Sequence, residues 1–131
     1  MEEQVLSIKQ MRHLEKLGVD TSKASCYWWY AEGKNYLYWG KCSDVNGIPT
    51  FNLQDILNML PPHFYSFPFE DKERYVIHDM VIERLTGEWL IGYRHGLIKG
   101  ELLVSFQDDL LTCAYEMLCW LAENKHIGRR E

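Results

Sequence analysis

The segment from Tyr27 to Trp39 constrains this chain more than any other. Seven of its 13 residues are aromatic: Tyr27, Trp28, Trp29, Tyr30, Tyr36, Tyr38 and Trp39. Aromatic side chains fit a pleated, half-buried surface. Glu32-Gly33-Lys34-Asn35 in the middle is a turn signal, so residues 26–31 and 36–41 are expected as the two arms of a β-hairpin. Strand alternation sends Trp28 and Tyr30 to one face, and Tyr27 and Trp29 to the other. A sheet with one solvated face should alternate aromatic with polar instead. Two readings stay open. Helices cover one face while a neighbouring chain or a ligand covers the other, or half-exposed Tyr and Trp simply pair across the strands. Trp and Tyr often anchor interfaces, so these seven residues are the candidate partner or ligand surface.

The flanking sequence supplies helices and further strands. Ser7 and Gln10 form a capping box ahead of a helix over residues 8–17, with Leu6 and Met11 as its hydrophobic staple and Gly18 as its stop. Residues 44–49 read as a loop with an Asn46-Gly47 turn. A short helix follows. Asn52 is its cap, Asp55 its third-position partner, and Pro61-Pro62 its end. Residues 64–69, interrupted by Pro68, can be no more than an edge strand. Residues 75–85 fit a strand or a helix, and strand is preferred because Thr86-Gly87 leads directly into the strand pattern of residues 88–93. Residues 94–100 read as a glycine-rich loop and 101–106 as a strand. A helix over residues 109–124 closes the pattern, with Asp108 and Asp109 at its N-terminal dipole. Helices set apart from hairpins, with no βαβ alternation, indicate an α+β fold: an antiparallel sheet of hairpins packed against about three helices.

Bulk properties bound the function classes. A length of 131 residues fits one domain, 1–131, and by area scaling buries roughly two-thirds of its unfolded surface. The formal net charge of -5 gives no basic excess for phosphate binding, so nucleic acid is disfavoured as a partner. No run of 18 apolar residues and no secretory signal are visible, which makes the cytoplasm the expected compartment. Its four cysteines are then expected as thiols. Cys113 and Cys119 lie about 240° apart around a helix and cannot share a metal. Cys26 and Cys42 face each other only if the hairpin brings them together.

Three segments resemble small uncharacterised proteins of gut anaerobic bacteria, often encoded in prophage-like or mobile regions. These are LSIKQMRHLEKLGVDTSKAS (6–25), FNLQDILNMLP (51–61) and AYEMLCWLAENKHI (114–127), which cover about a third of the chain in order. Asn52 stands where similar proteins prefer Thr, which keeps the cap chemistry. Residues 65–101 have no counterpart in the resemblance. It implies a bacterial or phage accessory protein without a known activity, and it transfers no functional residues.

Catalytic signatures are missing from the sequence. It has no P-loop or dinucleotide fingerprint, no nucleophile elbow and no zinc helix. Its five histidines show no metal-ligand spacing. His78, Asp79 and Glu83 make an acid–base set only if a cleft overlies them, and His78 and Asp79 point to opposite faces in a strand. Arg94, His95 and Lys99, among glycines, are a lesser anion-site candidate. The stretch HLEKLGVDTSKAS imitates the start of a helix-turn-helix, but CYWWY is a poor recognition helix. The resulting expectation is a non-enzymatic accessory or protein-interaction protein with no cofactor, with a homodimer through the hairpin as one form of partner. Two alternatives are a small-molecule or nucleic-acid binding module that stacks a planar group on the hairpin, and an enzyme with no linear motif.

Overall fold

Local capping chemistry sets the helices. In the computed structural model, which describes residues 5–41, 47–66, 76–95 and 102–124, helix α1 spans Ile8–Lys16. The Ser7 side chain accepts from the Gln10 amide, and the Gln10 side chain accepts in return from the Ser7 amide. Gly18, at φ 87°, takes the left-handed conformation that ends the helix. Helix α2 (Leu53–Met59) carries the same reciprocal cap between Asn52 and Asp55. Helix α3 (Leu110–Glu123) starts at Asp109, whose carboxylate accepts from both the amide and the hydroxyl of Thr112.

Seven strands among the described residues form two antiparallel sheets. Strands β1 (Cys26–Ala31), β2 (Lys34–Trp39) and β3 (Gly47–Thr50) make the first, in the order β2-β1-β3. Strands β4 (His63–Ser66), β5 (Val76–Leu85), β6 (Glu88–His95) and β7 (Leu102–Gln107) make the second, in chain order. The architecture is α+β, as expected. Residues 76–85 of the 75–85 segment form strand β5, and β4 takes the expected edge position; residues 67–69 and 75 of the two expected strands lie outside the described residues.

Three expectations are corrected. The hairpin turn is two residues long, not four. Glu32 (φ 51°) and Gly33 (φ 79°) make it alone, so Lys34 and Asn35 belong to β2, which ends at Trp39. Two positive-φ residues match the right-handed twist of the arms better than a wider loop does. Segment 44–49, read as a loop, contributes Gly47, Ile48 and Pro49 to β3. Pro49 is tolerated there because β3 is an edge strand that needs no donor on its outer side. Arg94 and His95, placed in a loop, extend β6 opposite Asp79 and His78. Backbone pairing with β5 outweighs the loop tendency of the nearby glycines.

A shared core joins these elements. Leu6, Met11 and Leu14 from the α1 region meet Phe51, Ile56 and Leu60 around α2, Ile91 and Tyr93 of β6, and the buried side of α3 from Leu111 to Ala122. The Tyr93 hydroxyl, pushed well above its ordinary range by burial, donates to the Pro61 carbonyl at 2.7 Å and ties the second sheet to the end of α2. Cys26, Cys113 and Cys119 are buried thiols that form no disulfide among the described residues. Cys26 pairs across the sheet with Trp39 and Thr50, and Cys42 lies outside the described residues. No helix among the described residues is long and apolar enough to cross a membrane.

Candidate functional site

The register of the first sheet sorts the seven aromatics. Tyr27 pairs with Tyr38, Trp29 with Tyr36, Trp28 with Leu37, and Cys26 with Trp39. Side chains directly opposite in an antiparallel pair share a face. Tyr27, Trp29, Tyr36 and Tyr38 therefore stand together on one face, joined by Pro49 of β3 opposite Tyr27. Trp28, Tyr30 and Trp39 stand on the other.

The two faces have different fates. On the inner face Cys26 and Thr50 are buried. The carbonyl of Leu6 accepts from the Trp28 Nε1 at 3.0 Å and from the Thr50 hydroxyl at 2.7 Å, and the Leu6 amide donates to the Phe51 carbonyl at 3.0 Å. The residue before α1 thus fastens the sheet to the core. On the outer face none of the four aromatics belongs to the core or to the half-buried shell around it. Tyr36 is 40% exposed and Tyr38 is 45% exposed, while Tyr27 and Trp29 are half-buried. Tyr27 and Tyr38 stack with ring centres 5.5 Å apart and planes 18° apart. The four rings form a continuous apolar platform. The outer rings pair across the strands, as the stacked Tyr27 and Tyr38 show.

Grooves lie beside the hairpin among the described residues. One of about 600 Å³ runs between the start of α1 and the hairpin, lined by Ser7, Ile8, Lys9, Trp28, Lys34 and Asn35. Another, of about 480 Å³, lies between Trp39, α2 and the start of α3. Trp39 is 54% exposed at its rim, and Tyr30, at 64%, overhangs the turn end. That Lys9, Trp28 and Lys34 line one groove was not legible in the sequence, because Lys9 lies on α1 and the other two on separate strands of the hairpin.

The remaining candidates lie on the second sheet or in the chain between its strands. Arg94 and His95 sit in successive positions of β6, and Lys99 lies outside the described residues. Asp79 and Glu83 are exposed on β5. No group of three or more His, Cys, Asp or Glu side chains among the described residues is arranged to hold a metal ion. The helix-turn-helix imitation ends in strand β1, so the chain leads from a helix into a sheet. Comparison with known proteins gives no match: no family model, no curated protein and no solved structure matches this chain.

Proposed function

We propose that this protein is a non-enzymatic accessory protein of bacterial or prophage origin that acts in the cytoplasm by binding another protein chain through the outer face of its aromatic hairpin. The observation that carries this reading is the platform of Tyr27, Trp29, Tyr36 and Tyr38 on one face of the sheet, none of which belongs to the core or its partly buried shell among the described residues. Aromatic rings with few rotatable bonds lose little entropy on binding, and contiguous exposed apolar patches mark interaction sites. The bacterial origin rests on the three resembling segments alone.

The test is comparative capture from a bacterial lysate, with the wild-type chain and a Tyr36→Ser, Tyr38→Ser double variant immobilised side by side. A protein retained by the wild type and lost by the variant, with both chains melting at similar temperatures, is the expected result. Identical retention by the two chains contradicts the reading.

A second reading is favoured by one observation. The groove between the start of α1 and the hairpin is lined by Trp28, an aromatic residue, and by two basic residues, Lys9 and Lys34. That combination suits a planar anionic ligand such as a nucleotide base with its phosphate. Binding of single-stranded oligonucleotide that weakens steeply with salt and is lost on Trp28→Ala supports this second reading. No binding at low salt removes it.

A further inference from the structure

The backbone of β2 points half of its polar groups away from the sheet. The two-residue turn makes Ala31 and Lys34 a hydrogen-bonded pair, and such pairs alternate along an antiparallel ladder. Lys34, Tyr36 and Tyr38 therefore bond inward to β1. The next bond of that series is present, with the Gly40 amide donating to the Ser25 carbonyl at 2.7 Å. Asn35, Leu37 and Trp39 direct their N–H and C=O groups outward, where no strand pairs with them among the described residues.

Natural sheets blunt such edges with proline, bulges or charges. The opposite edge of this sheet is blunted, because Pro49 stands at an outward-facing position of β3. β2 carries no such device. Its residues are exposed except for half-buried Leu37, and its one charge, Lys34, sits at the turn. We infer that β2 is the pairing strand of a homodimer: it joins β2 of a second copy antiparallel about a two-fold axis through Leu37, making one six-stranded sheet. This rests on the reading of the aromatic platform as a protein-binding surface, and names a second copy of this chain as its occupant.

The register follows from the edge. Centring on Leu37 pairs Leu37 with Leu37 of the second copy and Asn35 with Trp39 of the second copy. It is the register in which each outward-facing residue meets another of the same three, and each pair exchanges both N–H···O bonds. Tyr36 then stands opposite Tyr38 of the second copy as a non-hydrogen-bonded pair, the kind that brings side chains closest. The two platforms merge into one aromatic face. Lys34 meets Gly40 of the second copy, so no like charges oppose each other. Although the chain has a net charge of -5, the segment from Cys26 to Lys41 holds only Glu32, Lys34 and Lys41 as charged residues, and repulsion between copies is low there. Tyr36, Tyr38 and Trp39 leave roughly 300 Å² of aromatic surface exposed per protomer. That is below the size of a permanent interface and places the dimer in the weak, reversible class.

Sedimentation velocity of the purified full-length chain, from micromolar to near-millimolar concentration, tests this directly. The wild type is expected to pass reversibly from monomer to dimer. Leu37→Pro removes an outward amide while leaving the four platform rings in place, and is expected to raise the dissociation constant at least roughly tenfold with an unchanged far-ultraviolet circular dichroism spectrum. A second pair of variants guards against misfolding. Tyr36→Lys with Tyr38→Lys sets like charges opposite one another and abolishes the dimer, whereas Tyr36→Lys with Tyr38→Glu sets Lys opposite Glu and restores it. A wild type that stays monomeric overturns the inference, and if lysate capture still depends on Tyr36 and Tyr38, the interaction reading survives it. A dimer unaffected by Leu37→Pro and by the charge pair equally overturns edge pairing.

Discussion

Buried Asp55 shows how a single residue holds the first sheet to a helix. Its carboxylate accepts from the Ser25 amide at 2.9 Å, from the Ser25 hydroxyl at 2.6 Å and from the Asn52 amide at 3.1 Å. Capping at Asn52 was readable from the Asn-x-x-Asp spacing. The bond to Ser25 was not, since it spans 30 residues. Removing the carboxylate strands three donors, and Asp55→Ala is expected to cost about 2–3 kcal/mol, checked by urea unfolding. A loss within error would mean that the network does not hold the sheet. Cys119 makes a different point. Burial, offset in part by a hydrogen bond from Tyr115, pushes its thiol up to about 11 from 9.0. Between those values the folded chain keeps a proton that the unfolded chain has released. The corresponding stability is fully present below pH 9.0 and is lost as pH rises through about 11. Its size is on the order of 2 kcal/mol. Burial raises Cys26, Tyr93 and Tyr115 in the same direction. Urea midpoints should therefore fall steeply from neutral to strongly alkaline pH, and Cys119→Ala should lessen the fall. An equal fall in the variant would assign the effect to the other buried groups.

At the scale of elements, the hairpin is where the account gains most from its turn. Glu32 and Gly33 both adopt positive φ, and nothing lies within 4 Å of a Cβ built on Gly33. Space is therefore not the constraint at Gly33. Backbone conformation is, and Gly33→Ala is expected to cost about 1 kcal/mol, with Glu32→Asn gaining a few tenths. Thermal melts of the two variants check both signs, and a neutral Gly33→Ala would contradict a type I′ turn. β1 was legible to the residue, because its aromatic run has hard boundaries at Ser25 and the turn. β2 was read two residues late, since Lys34 and Asn35 are turn-like in composition and only pairing makes them strand. β3 was missed because Pro49 and Asn46-Gly47 look like a loop unless the segment is known to lie at an edge. The alternation that divides Trp28 and Tyr30 from Tyr27 and Trp29 was legible. Which side would be covered was not, because that depends on the Leu6 carbonyl, 22 and 44 residues away in sequence, reaching Trp28 and Thr50.

For the whole molecule, the consequence is a division of labour between two sheets. The four-stranded sheet buries Ile91 and Tyr93 against a core built mostly by α3 and the two other helices. The three-stranded sheet contributes little to that core and presents four of its seven aromatics, Tyr27, Trp29, Tyr36 and Tyr38, on its outer face. Seven of the 18 aromatics thus fall on one hairpin, whose outer strand β2 has no further strand paired to it among the described residues. The central claim is that this edge and platform are an interface in solution. Amide hydrogen exchange followed by NMR at low and high protein concentration tests it most directly, residue by residue. Asn35, Leu37 and Trp39 should exchange quickly in dilute solution and become protected as concentration rises, while Tyr36 and Tyr38, bonded inward to β1, stay protected throughout. Equal and rapid exchange of Asn35, Leu37 and Trp39 at both concentrations would contradict the claim.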